Sequence, residues 1–215
     1  MPDPSPRRQE TRSRLLDAAI EVFAEEGLQG ASVESICARA GFSRGAFYSN
    51  FSSKEELFLA LLQREFEQRA THLEQRAREL EPVLREQPGC LSPAEAARYV
   101  GEFFSPAHDE TTWFILQTEF ELLAMRDPAL APGYHEFADS FYASISDVVE
   151  QVVAAAGRRF LLPVEYAIPL LQSVYDRALR AAALGAHDAP GRFDALGDRI
   201  AELLFAITEE SEPPS

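Results

Sequence analysis

Ala31-Ser32-Val33-Glu34-Ser35-Ile36-Cys37-Ala38-Arg39-Ala40-Gly41-Phe42-Ser43-Arg44-Gly45-Ala46-Phe47-Tyr48-Ser49-Asn50-Phe51 is the stretch whose reading decides the fold. Ser32 is a favoured N-cap residue, and Val33, Ile36, Cys37 and Ala40 then recur at i, i+3, i+4 and i+7, which gives one apolar helix face. Gly41 stands where a helix end needs a left-handed residue. Ser43 caps a second short helix, whose outward side is expected to carry Arg44, Ser49 and Asn50. Two helices set at a steep angle around a glycine-containing turn form a helix-turn-helix, a shape that fits the DNA major groove.

The flanks supply what such a unit lacks. Leu15, Leu16, Ala19, Ile20, Phe23 and Ala24 read as an amphipathic helix stopped by Gly27, a third wall for a small core. Downstream, Ser53-Lys54-Glu55-Glu56 reads as a capping box that starts a long helix. The arrangement resembles the TetR-type (tetracycline-repressor-like) bacterial regulators over about residues 8–68. The matching elements are Thr11 and Arg12 ahead of Leu15-Leu16-Asp17-Ala18-Ala19, Phe23-Ala24-Glu25-Glu26-Gly27, Gly41-Phe42-Ser43-Arg44-Gly45, and Phe47 through Leu57. Beyond residue 68 only a compatible helical pattern is visible.

Composition sets bounds. A chain of 215 residues can bury a real core in one large or two modest domains. No apolar run approaches a membrane span, and Met1–Arg8 lacks the apolar segment of a secretory signal. Cys37 and Cys90 lie far apart, which suits a reducing cytoplasm. A net charge of −15 argues at first against a nucleic-acid partner. Residues 1–54, however, carry seven basic and seven acidic groups, so the whole excess lies beyond them. Charges farther than a Debye length are screened, so a locally neutral module still meets phosphates.

The expected architecture is all-α, with about nine helices and no convincing strand. A DNA-binding domain at 7–53, with its helix-turn-helix unit at 31–50, precedes a helical ligand-binding and dimerisation domain at 54–208. Residues 1–6 and 209–215 are expected to be disordered tails. The fourth helix is placed at about 54–80 and a loop at 81–91. Helices follow at about 93–104, 110–125, 128–156, 164–184 (with Pro169 as a kink or a later start) and 193–208.

Arg44, Gly45, Ala46, Tyr48, Ser49 and Asn50 line the expected recognition helix. Arg44 suits a guanine edge, and Asn50 an adenine or a phosphate. The resemblance implies phosphate contacts at Tyr48 and Lys54, and the capping residues Ser32 and Ser43 complete the candidate DNA set. Within the family His is common at the place of Asn50 and Thr at that of Ala46. Arg7, Arg8 and Arg12 read equally as a basic arm on DNA or as a charged tail.

The sixth helix is apolar nearly all round yet holds Gln117, Glu119 and Glu121. Buried polar groups need partners. They read either as solvent-facing groups or as the polar handles of a ligand pocket. The candidate pocket set is Phe103, Phe104, Trp113, Gln117, Phe120, Glu121, Phe137 and Phe141, with Tyr134 beside them. The resemblance places such a pocket among helices four to eight. Carboxylates among aromatic walls would favour an apolar cation.

In the ninth helix Phe193, Leu196, Ile200, Leu203 and Ile207 are spaced like a coiled-coil seam, and the eighth offers Leu171, Val174 and Ala178. Together they suit a four-helix dimer interface, which the family builds from its last two helices. No metal-ligand spacing, catalytic constellation or phosphate-cradling loop is visible, and no cofactor is called for. The reading is a homodimeric cytoplasmic regulator that binds a near-palindromic operator in double-stranded DNA and is released by a small apolar effector. The alternative is an all-α binding or adaptor protein, or a pocket enzyme, without DNA affinity.

Overall fold

In the computed structural model the described residues are 6–86, 91–103, 110–185 and 196–211. They form α1 (Pro6–Gly30), α2 (Val33–Ala40), α3 (Arg44–Tyr48), α4 (Lys54–Glu86), α5 (Pro93–Phe103), α6 (Glu110–Arg126), α7 (Ala131–Ala155), β1 (Arg158–Phe160), α8 (Val164–Ala183), α9 (Leu196–Ile207) and β2 (Thr208–Glu210). The fold is all-α, as the helical periodicities predict. A small antiparallel ribbon is added, pairing Arg158 with Glu210 and Phe160 with Thr208. These three-residue strands are too short to show an alternation, so they carry no strand signal in the sequence. No helix among the described residues is long and apolar enough to cross a membrane.

Local chemistry explains the helix ends. Gly27 breaks α1 with φ 72° and ψ 166°. Ser32 Oγ accepts from Ser35 N while Ser35 Oγ accepts from Ser32 N, which closes a capping box. Gly41 adopts the left-handed conformation (φ 72°, ψ 33°), and Phe42 N donates to Cys37 O at 3.0 Å. Ser53 Oγ accepts from Glu56 N at 3.1 Å, but the returning Glu56 carboxylate accepts from Ser52 N and Ser52 Oγ rather than from Ser53. Those bonds hold the Glu56 carboxyl below its ordinary pKa. At α5, Ser92 and Glu95 exchange the two bonds of a regular box.

Two helices depart from the sequence expectation. α4 does not stop at Leu80 but runs on to Glu86 with Pro82 inside it. Proline removes one backbone bond there. The extra turn buries Leu84, which packs with Leu91 and Tyr99. In α8, Pro169 lies within the continuous helix, five residues after Val164, and removes the backbone bond that an N–H there would have made to Glu165 O.

The contacts divide the chain into two units, Met1–Phe66 with Ile115–Phe137, and Glu67–Phe114 with Ala138–Ser215. The sequence places its boundary at 53/54. The contacts instead extend the first unit along α4 to Phe66 and give it most of α6 and the start of α7. In that unit Phe58 is the hub: its ring stacks on Phe120 and meets Phe23 edge-on, both at 5.0 Å. Glu119 of α6 accepts from Leu28 N at 2.7 Å and so satisfies the backbone donor exposed by the break at Gly27.

The second unit is built around Val149, Val153, Ile168, Leu171, Ala178, Leu196 and Ile200, contributed by α7, α8 and α9. Asp176 of α8 is partly buried beside this core, and desolvation raises its pKa despite a hydrogen bond from Gln172. A raised carboxyl pKa favours the folded state only while the group is protonated. That contribution is complete below the unfolded pKa and is lost as pH rises through the folded one. Asp176→Asn keeps the acceptor for Gln172 and removes the charge. The variant is expected to be more stable than the parent at neutral pH, with the difference vanishing in acid. Melting curves across pH check it, and a gap that widens toward low pH would refute it.

Candidate nucleic-acid interface and effector cavity

The first unit presents a compact polar face. Ser43 caps α3, its Oγ accepting from Ala46 N at 3.2 Å, and Phe47 is fully buried beneath the helix. That burial turns the opposite side outward, so Ser43, Arg44, Gly45, Tyr48 and Ser49 are exposed and Ala46 half-buried. The Tyr48 ring is 50% exposed and packs edge-on to Phe47. Arg44 lies near the Tyr48 ring, 5.9 Å from its centroid, and pairs with Glu34 of α2 at 2.7 Å. Both partners are mostly exposed, and such a pair is worth only about 0–1 kcal/mol. Exchanging Glu34 for a base or phosphate therefore costs little.

Three expectations change. Asn50 does not face outward: it is 9% exposed, and its amide donates to Ala46 O at 2.8 Å. A residue just past the end of so short a helix follows the chain as it turns inward toward Phe51, not the helical wheel. Arg12 is not part of an arm. Its guanidinium covers the Phe51 ring at 4.1 Å and donates to Asn50 O at 3.0 Å, and burial lowers its pKa. Arg7 and Arg8 are already helical, and Arg8 donates to Ser49 O at 3.3 Å. Lys54, half-buried, donates one bond to Ala31 O at 2.9 Å. Ser32 is held in its box with Ser35.

Sequence reasoning passed over the arginine clamps. Arg14 donates to Ala40 O at 3.0 Å and lies 4.6 Å over the Phe42 ring, bracing the helix-turn-helix turn from α1. Their spacing in α1 (Arg8, Arg12 and Arg14) was the available signal.

The candidate pocket residues divide between the two units. Gln117, Phe120, Glu121 and Phe137 belong to the first unit, whereas Phe103, Trp113 and Phe141 belong to the second. Phe120 is core, stacked on Phe58, and Phe137 meets Phe66 edge-on at 4.5 Å. Phe104 lies outside the described residues. The second unit has its own cavity of about 90 Å³. Of the seven described candidates only Phe103 lines it, together with residues of α4, α5, α7, α8 and α9. Glu119 and Glu121 are not in its wall, so the argument for a cationic ligand loses its basis.

Several residues of the expected dimer stripe are used within the chain itself. Leu171, Ala178, Leu196 and Ile200 are buried in the chain's own core, and Val174, Leu203 and Ile207 are partly buried against it. Phe193 lies outside the described residues. The exposed apolar side of α8 is instead Tyr166 and Leu170, continued by Leu184. At about 100° per residue, Leu171 and Ala178 stand roughly 120–140° around the helix from Tyr166. The most apolar stripe went to the interior because each such side chain gains most by leaving water.

The family model for bacterial regulatory proteins of the tetR family matches residues 15–61, from the core of α1 into α4. The transcriptional repressor AcnR of Corynebacterium diphtheriae is 26% identical over 94% of this chain and 93% of its own length. Residues 15–61 thus carry a module of the tetR-family type, and over most of its length the chain is similar to a transcriptional repressor. The transcriptional activator FasR of Mycolicibacterium smegmatis is 51% identical over 57 residues. That match spans only 26% of this chain and 26% of the relative. The likeness of fold extends well beyond that stretch. FadR of Bacillus subtilis, solved in complex with stearoyl-CoA, superposes with a TM-score of 0.64 at 20% identity, over 89% of this chain and 96% of that one.

Proposed function

We propose that this protein is a dimeric, sequence-specific DNA-binding transcriptional regulator of the TetR type whose operator affinity is set by a small effector held in the second unit. The observation that carries the reading is the exposed set Ser43, Arg44, Gly45, Tyr48 and Ser49 on a capped α3, braced from behind by Arg12 and Arg14. It offers one bidentate reader, Arg44, and phosphate partners in Tyr48, Lys54 and Ser49. Release by the effector, and so repression, is the mode proposed. Among the relatives one is named a repressor and another an activator.

Two copies would place two such helices on half-sites about one DNA turn apart. An effector changes operator affinity only if it binds the DNA-incompetent arrangement more tightly. α4 contributes its first part to one unit and the rest to the other, and it is the proposed route by which effector binding alters operator affinity. The test is selection of binding sites from random duplex DNA by the full chain. A near-palindromic consensus bound by two protomers is expected. Binding that stays indifferent to sequence would overturn the reading.

For the dimer, the exposed α8 face is the proposed contact. Its residues Tyr166, Leu170, Ser173, Arg177 and Leu184 lie along one side of the helix. Tyr166→Glu with Leu170→Glu is expected to give folded monomers, because neither side chain supports the protomer's own core. Leu171→Glu, in contrast, is expected to unfold the second unit by burying an unpaired carboxylate. Mass in solution and helical signal separate the two outcomes. A double variant that stays dimeric moves the interface elsewhere.

A further inference from the structure

The cavity of the second unit has walls of carbon and a single charged group. Leu84, Tyr99, Phe103, Val153 and Ile200 are among its apolar residues, and Arg158 and Thr208 form its polar end. The guanidinium of Arg158 is held firmly in place. Nε donates to Thr208 Oγ at 2.8 Å, Nη2 donates to Thr208 O at 2.9 Å, and the plane lies over the Phe205 ring at 4.2 Å. Thr208 is itself buried, with its hydroxyl donating to Leu204 O. The backbone of Arg158 is fixed in the β1–β2 ribbon.

This fixed cation makes no ion pair among the described residues, although Glu210 stands opposite it in the ribbon. Its ribbon neighbour Arg159 is paired with Glu209, but no carboxylate among the described residues lies within ion-pair distance of Arg158. Asp147 and Glu150 line a separate surface groove that Arg158 also borders, and neither reaches it. The bonds to Thr208 leave the two N–H groups of Nη1 unused. An arginine in a largely carbon-lined setting with donors to spare is a receptor for an anionic oxygen pair. The scale of the cavity, about 90 Å³, suits a short apolar body.

We infer that this cavity binds a small monoanion with a compact apolar body, a short-chain or branched carboxylate, whose charged end sits on Nη1 of Arg158. The inference rests on the second unit being the effector unit, and it replaces the cationic ligand that the sequence suggested. Arg158 selects the sign of the ligand, and the leucine, valine and aromatic walls select its size.

The experiment uses three probes of matched length on the full chain without DNA: pentanoate, pentan-1-ol and pentylammonium, titrated by ligand-observed NMR. Pentanoate is expected to bind about tenfold tighter than the alcohol, the gain of one charge-assisted bond. Pentylammonium is expected not to compete with it. Arg158→Gln should bring the acid and the alcohol to equal affinity, while Arg158→Lys, which restores the charge without the fork, keeps part of the difference. Melting curves verify that both variants are folded. Equal binding of acid and alcohol by the parent, an unchanged ratio in a folded Arg158→Gln variant, or no binding of any probe at millimolar concentration would overturn the inference. Repeating the titration with bound operator separates the two readings. Arg158-dependent binding of pentanoate that never releases DNA supports the ligand class and sinks only the coupling.

Discussion

Gly197→Ala is expected to lower the melting temperature of the second unit by several degrees, although alanine is the better helix former. A Cβ at Gly197 would stand 2.5 Å from Ala97 O and 3.3 Å from Gly101 N. Both are backbone atoms of α5 and cannot rotate aside. Relief requires α5 and α9 to separate, and overpacking of this kind costs about 1–3 kcal/mol. The opposing gain from helix propensity is about 0.5–1 kcal/mol, so the clash wins. Gly101 is the control. It lies on the facing helix, yet a Cβ there meets nothing within 4 Å. Gly101→Ala should therefore stabilise the protein slightly. Equal melting temperatures for the two variants would mean that the α5–α9 approach is looser than described. Because Val100 and Ile200 line the cavity, Gly197→Ala should also weaken pentanoate binding.

Arg44→Ala is expected to weaken binding to the selected operator by roughly 1–3 kcal/mol, or about five- to 150-fold, and to relax the preference at one base pair per half-site. The fold should be unaffected, because the Arg44 side chain is 61% exposed and its only ion pair among the described residues is with exposed Glu34. Tyr48→Phe, which removes a hydroxyl and leaves the ring against Phe47, should weaken all sequences alike, since phosphate contacts carry no base information. Competition assays with operator and scrambled duplex at fixed salt distinguish the two effects. A specific loss on Tyr48→Phe and a uniform one on Arg44→Ala would exchange the roles. Glu34→Gln sharpens the case: freed from its ion pair, Arg44 should bind operator as well as or better than in the parent.

Much of the first unit was legible before any coordinates. Ser32, Gly41, Ser43 and Ser53 do their work within four residues of themselves, through caps and a left-handed turn, so residue type and spacing suffice to place α2, α3 and the start of α4. The buried face of α2 and the outward face of α3 follow from helical periodicity in the same way. Asn50 escaped the reading because it sits past the last turn of a five-residue helix, where the wheel no longer applies.

Tertiary structure decided everything that depends on which of several apolar faces meets which partner. Periodicity marks a stripe as buried but does not say against what: Leu171, Ala178 and Ile200 fill the protomer's own core and leave Tyr166 and Leu170 outside. Phe120 and Glu119 look like pocket residues on a mostly apolar helix, yet one stacks on Phe58 and the other satisfies Leu28 N. Arg158 carries no motif at all. Its meaning arises only when a ribbon joining residues fifty positions apart sets its guanidinium on Thr208 at the end of a carbon-lined cavity. Local hydrogen bonds are written into neighbouring residues. Burial and charge pairing between distant residues are set by competition across the whole chain, and only the folded arrangement settles it.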